Sequence, residues 1–209
     1  AGGYGIECDI QRSSDGVPLV FHDWELDRLT AQTGPVAGRM AKELEGMVLA
    51  GSTDTIPSLR QFLNEVAGRV PLLIEVKSKR ELPVAALCAA IRDRLSAYTG
   101  LHAVMSFDPR VSRWFARNSP ETVRGLVVTE EGSRGLGARL RRYLALWHAK
   151  PDFLAYDIRD LPSRFAANQR ARGLPLATWT VRSPELLERA RAHADAPIAE
   201  GAGIGAAGD

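Results

Sequence analysis

Cysteine is nearly missing from this chain. Cys8 and Cys88 are the only two in 209 residues, and a single distant pair offers neither a disulfide framework nor a metal-binding Cys spacing. A reducing setting follows as the simpler fit, and a cytoplasmic location is expected. No apolar run approaches the roughly 20 residues needed to span a bilayer, and no signal-peptide pattern precedes the first strand, the chain beginning at Ala1 rather than Met. An excess of one charge is also lacking. The 27 basic and 25 acidic residues leave a formal charge of +2, too even to argue for a nucleic-acid partner. The arginines within Arg134–Arg142 (SRGLGARLRR) form a local basic run, which reads as a solvated helix face. Finally, no glycine-rich turn follows the first strand. ECDIQRSSDG puts polar side chains where backbone amides would cradle a phosphate, which argues against an open, doubly wound dinucleotide fold.

What the sequence does contain is a regular alternation of apolar strands and helical periods. YGIECDI, VPLLIEVK, AVMSF, RGLVVT, DFLAYD, PLATWTV and APIAEG read as strands, most separated by amphipathic helices such as PVAALCAAIRDRL and SPELLERARAHA. Strands that are apolar on both faces with helices between them imply parallel pairing with right-handed crossovers. The expected fold is an α/β TIM-type (β/α)8 barrel, with seven units visible and the first strand and helix not present. The SSDG turn leads to VPLVF, either as a hairpin return or as one strand with an excursion. Residues 1–209 are taken as a single barrel domain, with Gln32–Thr55 as a loop and short-helix insertion containing an amphipathic piece at Lys42–Val48. Pro57 is placed in the first turn of the next helix.

In a parallel barrel the chemistry gathers at the carboxyl ends of the strands. Glu7 and Asp9 are two apart and share a face of their strand, with Cys8 turned away. Glu75 and Lys77 repeat that spacing at the end of VPLLIEVK, and His22 lies just beyond VPLVF. Three carboxylates on inward faces would repel one another unless a cation joined them. An all-oxygen donor set suits Mg²⁺ or Ca²⁺ better than zinc. With Lys77 contributing one more positive charge, such a site is suited to a small-molecule phosphodiester.

The ordered run GYGIECDIQRSSDGVPLVFHDWELDRLT, then IPSLRQFL, LLIEVK and ATWTV, resembles the bacterial glycerophosphodiester phosphodiesterase family. The resemblance implies a barrel that hydrolyses glycerophosphodiesters to glycerol 3-phosphate and an alcohol with a bound divalent metal. It implies Glu7, Asp9 and Glu75 as metal ligands, His22 as an acid/base histidine, Lys77 as the phosphate-facing lysine, and Trp179 on the glycerol side of the pocket. It also implies a preceding strand bearing His-Arg, which the sequence does not contain. Glu200 in ADAPIAEG stands where the family pattern has a TDxP-like segment.

Phe107, Tyr156 and Asp157 end strands and are placed at the same mouth, with Phe107 as a substrate contact. His102, His148 and His193 are assigned to helices or their flanks, without a chemical role. Two alternatives accompany the enzyme reading: a barrel that binds phosphodiesters or lipid headgroups without turnover, and a lysophospholipase D-like variant. The second would want an apolar rim, and the stretch from Gln32 to Thr55 holds few large apolar residues to make one.

Overall fold

The structure, a computed structural model, describes residues 4–132 and 135–204. Arg134 of the basic run therefore lies outside the described residues. The chain forms two compact units, the first running to Val104 and the second starting at Met105.

In the first unit, β1 (Ile6–Arg12) turns back on itself to form β2 (Pro18–Val20). The turn uses Gly16 at φ 85°, a left-handed conformation that favours glycine, and Ser13 Oγ accepts from Val17 N at 2.9 Å. Strand β2 pairs with β1 antiparallel, Ile10 opposite Val20, which resolves the two readings of this stretch in favour of the hairpin return. The following segment is short and irregular but buried at its centre. A 3-10 turn (Val36–Gly38), α1 (Ala41–Leu44) and isolated bridges Glu25–Pro35, Thr30–Leu49 and Val48–Thr55 enclose Leu19, Phe21, Leu26, Val36, Leu44 and Ile56. Each such side chain removed from water contributes about 1.5–3 kcal/mol. The segment therefore spends its apolar residues on a small core beside the His22 loop.

Helix α2 (Leu59–Val66) opens with a reciprocal capping box between Ser58 and Gln61, satisfying donors that a helix start leaves unpaired. Pro57 stands before that cap rather than in the first turn, and its carbonyl accepts from Val20 N at 2.9 Å. Strand β3 (Leu72–Val76) then pairs parallel with β1, with Glu7 opposite Leu73 and Asp9 opposite Glu75. Helix α3 (Ala85–Leu95) follows. Strand β4 (His102–Ser106) crosses from the first unit into the second. His102 is its first residue rather than a helix flank, and its Nδ1 lies 2.9 Å from Gly100 O.

The second unit continues the strand–helix rhythm through α4 (Pro109–Asn118), β5 (Val123–Val128), α5 (Leu136–Ala149), β6 (Phe153–Asp157), α6 (Arg164–Ala171), β7 (Leu176–Val181), α7 (Pro184–His193) and β8 (Ala196–Ala199). Helices α4, α6 and α7 begin at side-chain caps from Asp108, Ser163 and Ser183. Strands β5 to β8 pair in order and in parallel, with Val128 opposite Tyr156 and Asp157 opposite Trp179. Their helix-facing side chains build a core around Leu126, Leu154, Tyr156, Phe165 and Val181. This is the mixed α/β, TIM-type class expected from the sequence. No helix among the described residues is long and apolar enough to cross a membrane.

Candidate metal centre

The parallel register of β1 and β3 explains the site. Asp9 and Glu75 are neighbours across the pair, and Glu7, two residues earlier on β1, shares the face of Asp9. One carboxylate oxygen from each of Glu7, Asp9 and Glu75 lies within 4.8 Å of the others. Lys77, just past β3, is anchored by its own N–H, which donates to Ile10 O at 3.0 Å. Its Nζ stands 2.8 Å from Asp9 Oδ1 and 2.8 Å from Glu75 Oε1. The four residues expected at the centre are thus together.

Formal charges leave the cluster acidic, since three carboxylates oppose one ammonium. Burial pushes the Glu75 carboxyl above its ordinary range, against the pull of Lys77. Lys77 itself is drawn down by burial, but Glu75 and Asp9 together outweigh that and hold its amine above the ordinary lysine value. The buried Glu75 Oε1 is met by the Lys77 ammonium alone, at 2.8 Å. One ammonium neutralises only one of three clustered carboxylates, and the remaining negative charge is costly unless a further cation meets it. Three hard oxygen donors with a net negative charge fit a divalent cation.

His22 follows β2 on a backbone that Gln11 holds. Gln11 Nε2 donates to Asp23 O at 2.7 Å and to His22 O at 3.2 Å, and the side chain is buried. Phe21 N donates to Asp9 O at 3.0 Å, tying the same loop to the carboxylate strand. The His22 ring is exposed, with Nδ1 2.5 Å from Asp23 Oδ1. Arg28 grips Asp23 with two hydrogen bonds, Nε to Oδ2 at 2.6 Å and Nη2 to Oδ1 at 2.7 Å. Arg28 first of all, with His22 assisting, holds the Asp23 carboxyl at about 2. An ionised Asp23 accepts from Nδ1–H and leaves Nε2 as the proton-exchanging nitrogen.

Gln11, Asp23 and Arg28 are the functional candidates that sequence reasoning did not single out. The signal for Gln11 was available, because Glu7, Asp9 and Gln11 form one i, i+2, i+4 series on β1.

The remaining expected contacts belong to the second unit. Trp179, on β7, donates its indole N–H to Ala155 O at 3.0 Å, so the ring offers a face or an edge rather than a donor. Phe107, one residue beyond β4, is exposed and meets Trp179 edge-on at 5.4 Å between centroids. Tyr156 and Asp157 cannot share a face, being adjacent on a strand. Tyr156 turns into the core, its hydroxyl donating to Glu130 Oε1 at 2.5 Å, whereas the Asp157 carboxylate is held by Arg159 at 2.6 Å. Glu200 follows β8 and pairs with Arg182.

Comparison with known proteins gives a consistent assignment. The model of the glycerophosphoryl diester phosphodiesterase family matches residues 1–200. Glycerophosphodiester phosphodiesterase 1 of Rattus norvegicus and that of Mus musculus are each 24% identical over 155 residues, which is 70% of this chain and 46% of theirs. The chain thus spans about half the length of these curated relatives. Among solved structures, an Oleispira antarctica phosphodiesterase in complex with the product sn-glycerol-3-phosphate superposes with a TM-score of 0.81 at 22% identity, covering 94% of this chain and 81% of that one. A glycerophosphodiester phosphodiesterase from Parabacteroides distasonis gives 0.76 at 20% identity, with 95% and 80% covered. One from Thermotoga maritima gives 0.70 at 20%, with 92% and 80% covered. At these identities the superpositions establish the fold.

Proposed function

The chain belongs to the glycerophosphoryl diester phosphodiesterase family, and from that premise we propose that it hydrolyses glycerophosphodiesters to glycerol 3-phosphate and an alcohol at a site holding Mg²⁺ or Ca²⁺. The observation that carries this reading is the convergence of Glu7, Asp9 and Glu75 within 4.8 Å, three carboxylates against the single ammonium of Lys77. The product named in the Oleispira antarctica complex, sn-glycerol-3-phosphate, is the product proposed here.

Glu7, Asp9 and Glu75 would be the ligands of the ion. A divalent cation at such a site supplies Lewis acidity, polarising phosphoryl oxygens and lowering the pKa of an attacking hydroxyl. Lys77, already held between Asp9 and Glu75, faces the same centre with a fixed positive charge for a phosphoryl oxygen. His22 exchanges a proton at Nε2, its Nδ1 held by Asp23 and Asp23 in turn held by Arg28. Such an orienting chain keeps one tautomer and one ring angle. In the second unit, Trp179 and Phe107 pack edge to face, an apolar pair suited to a carbon skeleton. The low cysteine content, two in 209 residues and both buried, favours a reducing cytoplasm as the setting.

The test is release of glycerol 3-phosphate from glycerophosphocholine, with and without a chelator. The reading expects chelator-sensitive turnover that Mg²⁺ or Ca²⁺ restores and that Asp9→Asn lowers by at least about 100-fold. Binding of glycerophosphocholine without turnover would favour the non-catalytic barrel instead.

A further inference from the structure

Helix α5 (Leu136–Ala149) packs with its small side and leaves its large side bare. Its buried residues are Ala138 and Ala149, whereas Leu136, Leu140, Leu144 and Trp147 are 85%, 60%, 54% and 74% exposed. At about 100° per residue, these four side chains fall in one stripe about 80° wide, centred opposite the two alanines. Arg139 and Arg141, both exposed, flank it about 60° beyond either edge. Residues 135–150 contain no Asp or Glu. Neither Arg139 nor Arg141 has an acidic partner among the described residues. Arg139 instead lies over the ring of Tyr143, 6.0 Å from its centroid.

A contiguous apolar stripe on a soluble domain marks a contact surface. We propose that this face of α5 docks on an anionic phospholipid surface, the leucines and Trp147 entering the headgroup boundary and the two arginines meeting lipid phosphates. The charge pattern selects this occupant. An apolar face with an arginine on each flank and no acidic residue in its own helix, with a tryptophan at one end, matches helices that lie in a membrane interface. A second copy of the chain docking through the same face would bring two cationic helices together. The surface belongs to α5 alone, so this inference stands or falls independently of the phosphodiesterase reading.

The experiment is co-sedimentation of the protein with vesicles of equimolar phosphatidylglycerol and phosphatidylcholine, against vesicles of phosphatidylcholine alone. Binding is expected to the anionic vesicles, weakened by salt, and reduced about tenfold or more by Leu140→Ser with Trp147→Ser and by Arg139→Gln with Arg141→Gln. All four positions are exposed, so circular dichroism and turnover of water-soluble glycerophosphocholine are expected to be unchanged in both variants. Absence of sedimentation with anionic vesicles would overturn the proposal. So would binding that both variants retain, or self-association in lipid-free buffer that Leu140→Ser with Trp147→Ser abolishes.

Discussion

Asp9 and Glu75 stand opposite each other across the parallel pair of β1 and β3, and Lys77 Nζ lies 2.8 Å from a carboxylate oxygen of each. Lys77 is thus the internal counter-charge of an acidic cluster. Lys77→Met is expected to destabilise the metal-free protein by about 1–3 kcal/mol, the cost of stripping a partner from half-buried charges. Saturating Mg²⁺ is expected to recover part of that loss. Urea denaturation of the wild type and the variant, with and without the ion, measures both quantities.

Gln11 acts at one remove, through the backbone of His22 and Asp23. Gln11→Leu keeps the apolar stem but frees that loop. Turnover is expected to fall about 10- to 100-fold, as it does when a reacting group is misplaced by about 1 Å, with KM much less affected. Equal losses in the Gln11→Leu and His22→Ala variants would show that the loop is disordered rather than shifted, a distinction that the His22 ring signals in NMR would report.

Asp23 links the site to pH. Its carboxyl is held at about 2, chiefly by Arg28, below the ordinary value of about 3.9. A carboxylate with a depressed folded-state pKa contributes stability above its unfolded pKa, and the contribution is lost as pH falls through the folded one. The window is therefore about pH 4 down to about pH 2. The pair is largely exposed, so the contribution is under about 1 kcal/mol. Arg28→Ala is expected to raise the carboxyl toward 3.8, as read from its NMR titration, and to flatten the stability change across that window.

Cys8 sits between Glu7 and Asp9 but on the other face. Burial, with the two carboxylates adding, pushes its thiol far above the ordinary cysteine value. Cys88 is also buried. Native protein at pH 8 is expected to be inert to a thiol reagent, and denatured protein to titrate two thiols. A thiol that reacts rapidly in the native state would contradict the burial of these residues.

The carboxylate centre was legible in the sequence because a period of two is hard to mistake when charges interrupt apolar strands. Glu7 with Asp9, and Glu75 with Lys77, announce a shared face before any pairing is known. Their register across β1 and β3 was not legible, nor was the choice between hairpin and excursion at Ser13–Gly16, since both depend on a partner distant in sequence. Asp23 and Arg28 lie within the family run without an assigned role, and only the folded loop brings them together beside His22. Tyr156 was misplaced by one residue of strand parity. Helix α5 shows a limit of periodicity. Its leucines have the spacing of a core stripe, whereas the fold buries the alanine side, and periodicity alone does not say which of two faces points inward.

The most direct measurement is calorimetric titration of chelator-stripped protein with Mg²⁺ and with Ca²⁺, repeated for Asp9→Asn and Glu75→Gln. Binding at a single site in the wild type, abolished or weakened at least about tenfold in both variants, is the predicted result. No binding of either ion, or binding that both variants leave unchanged, would contradict the assignment of Glu7, Asp9 and Glu75 as a metal centre.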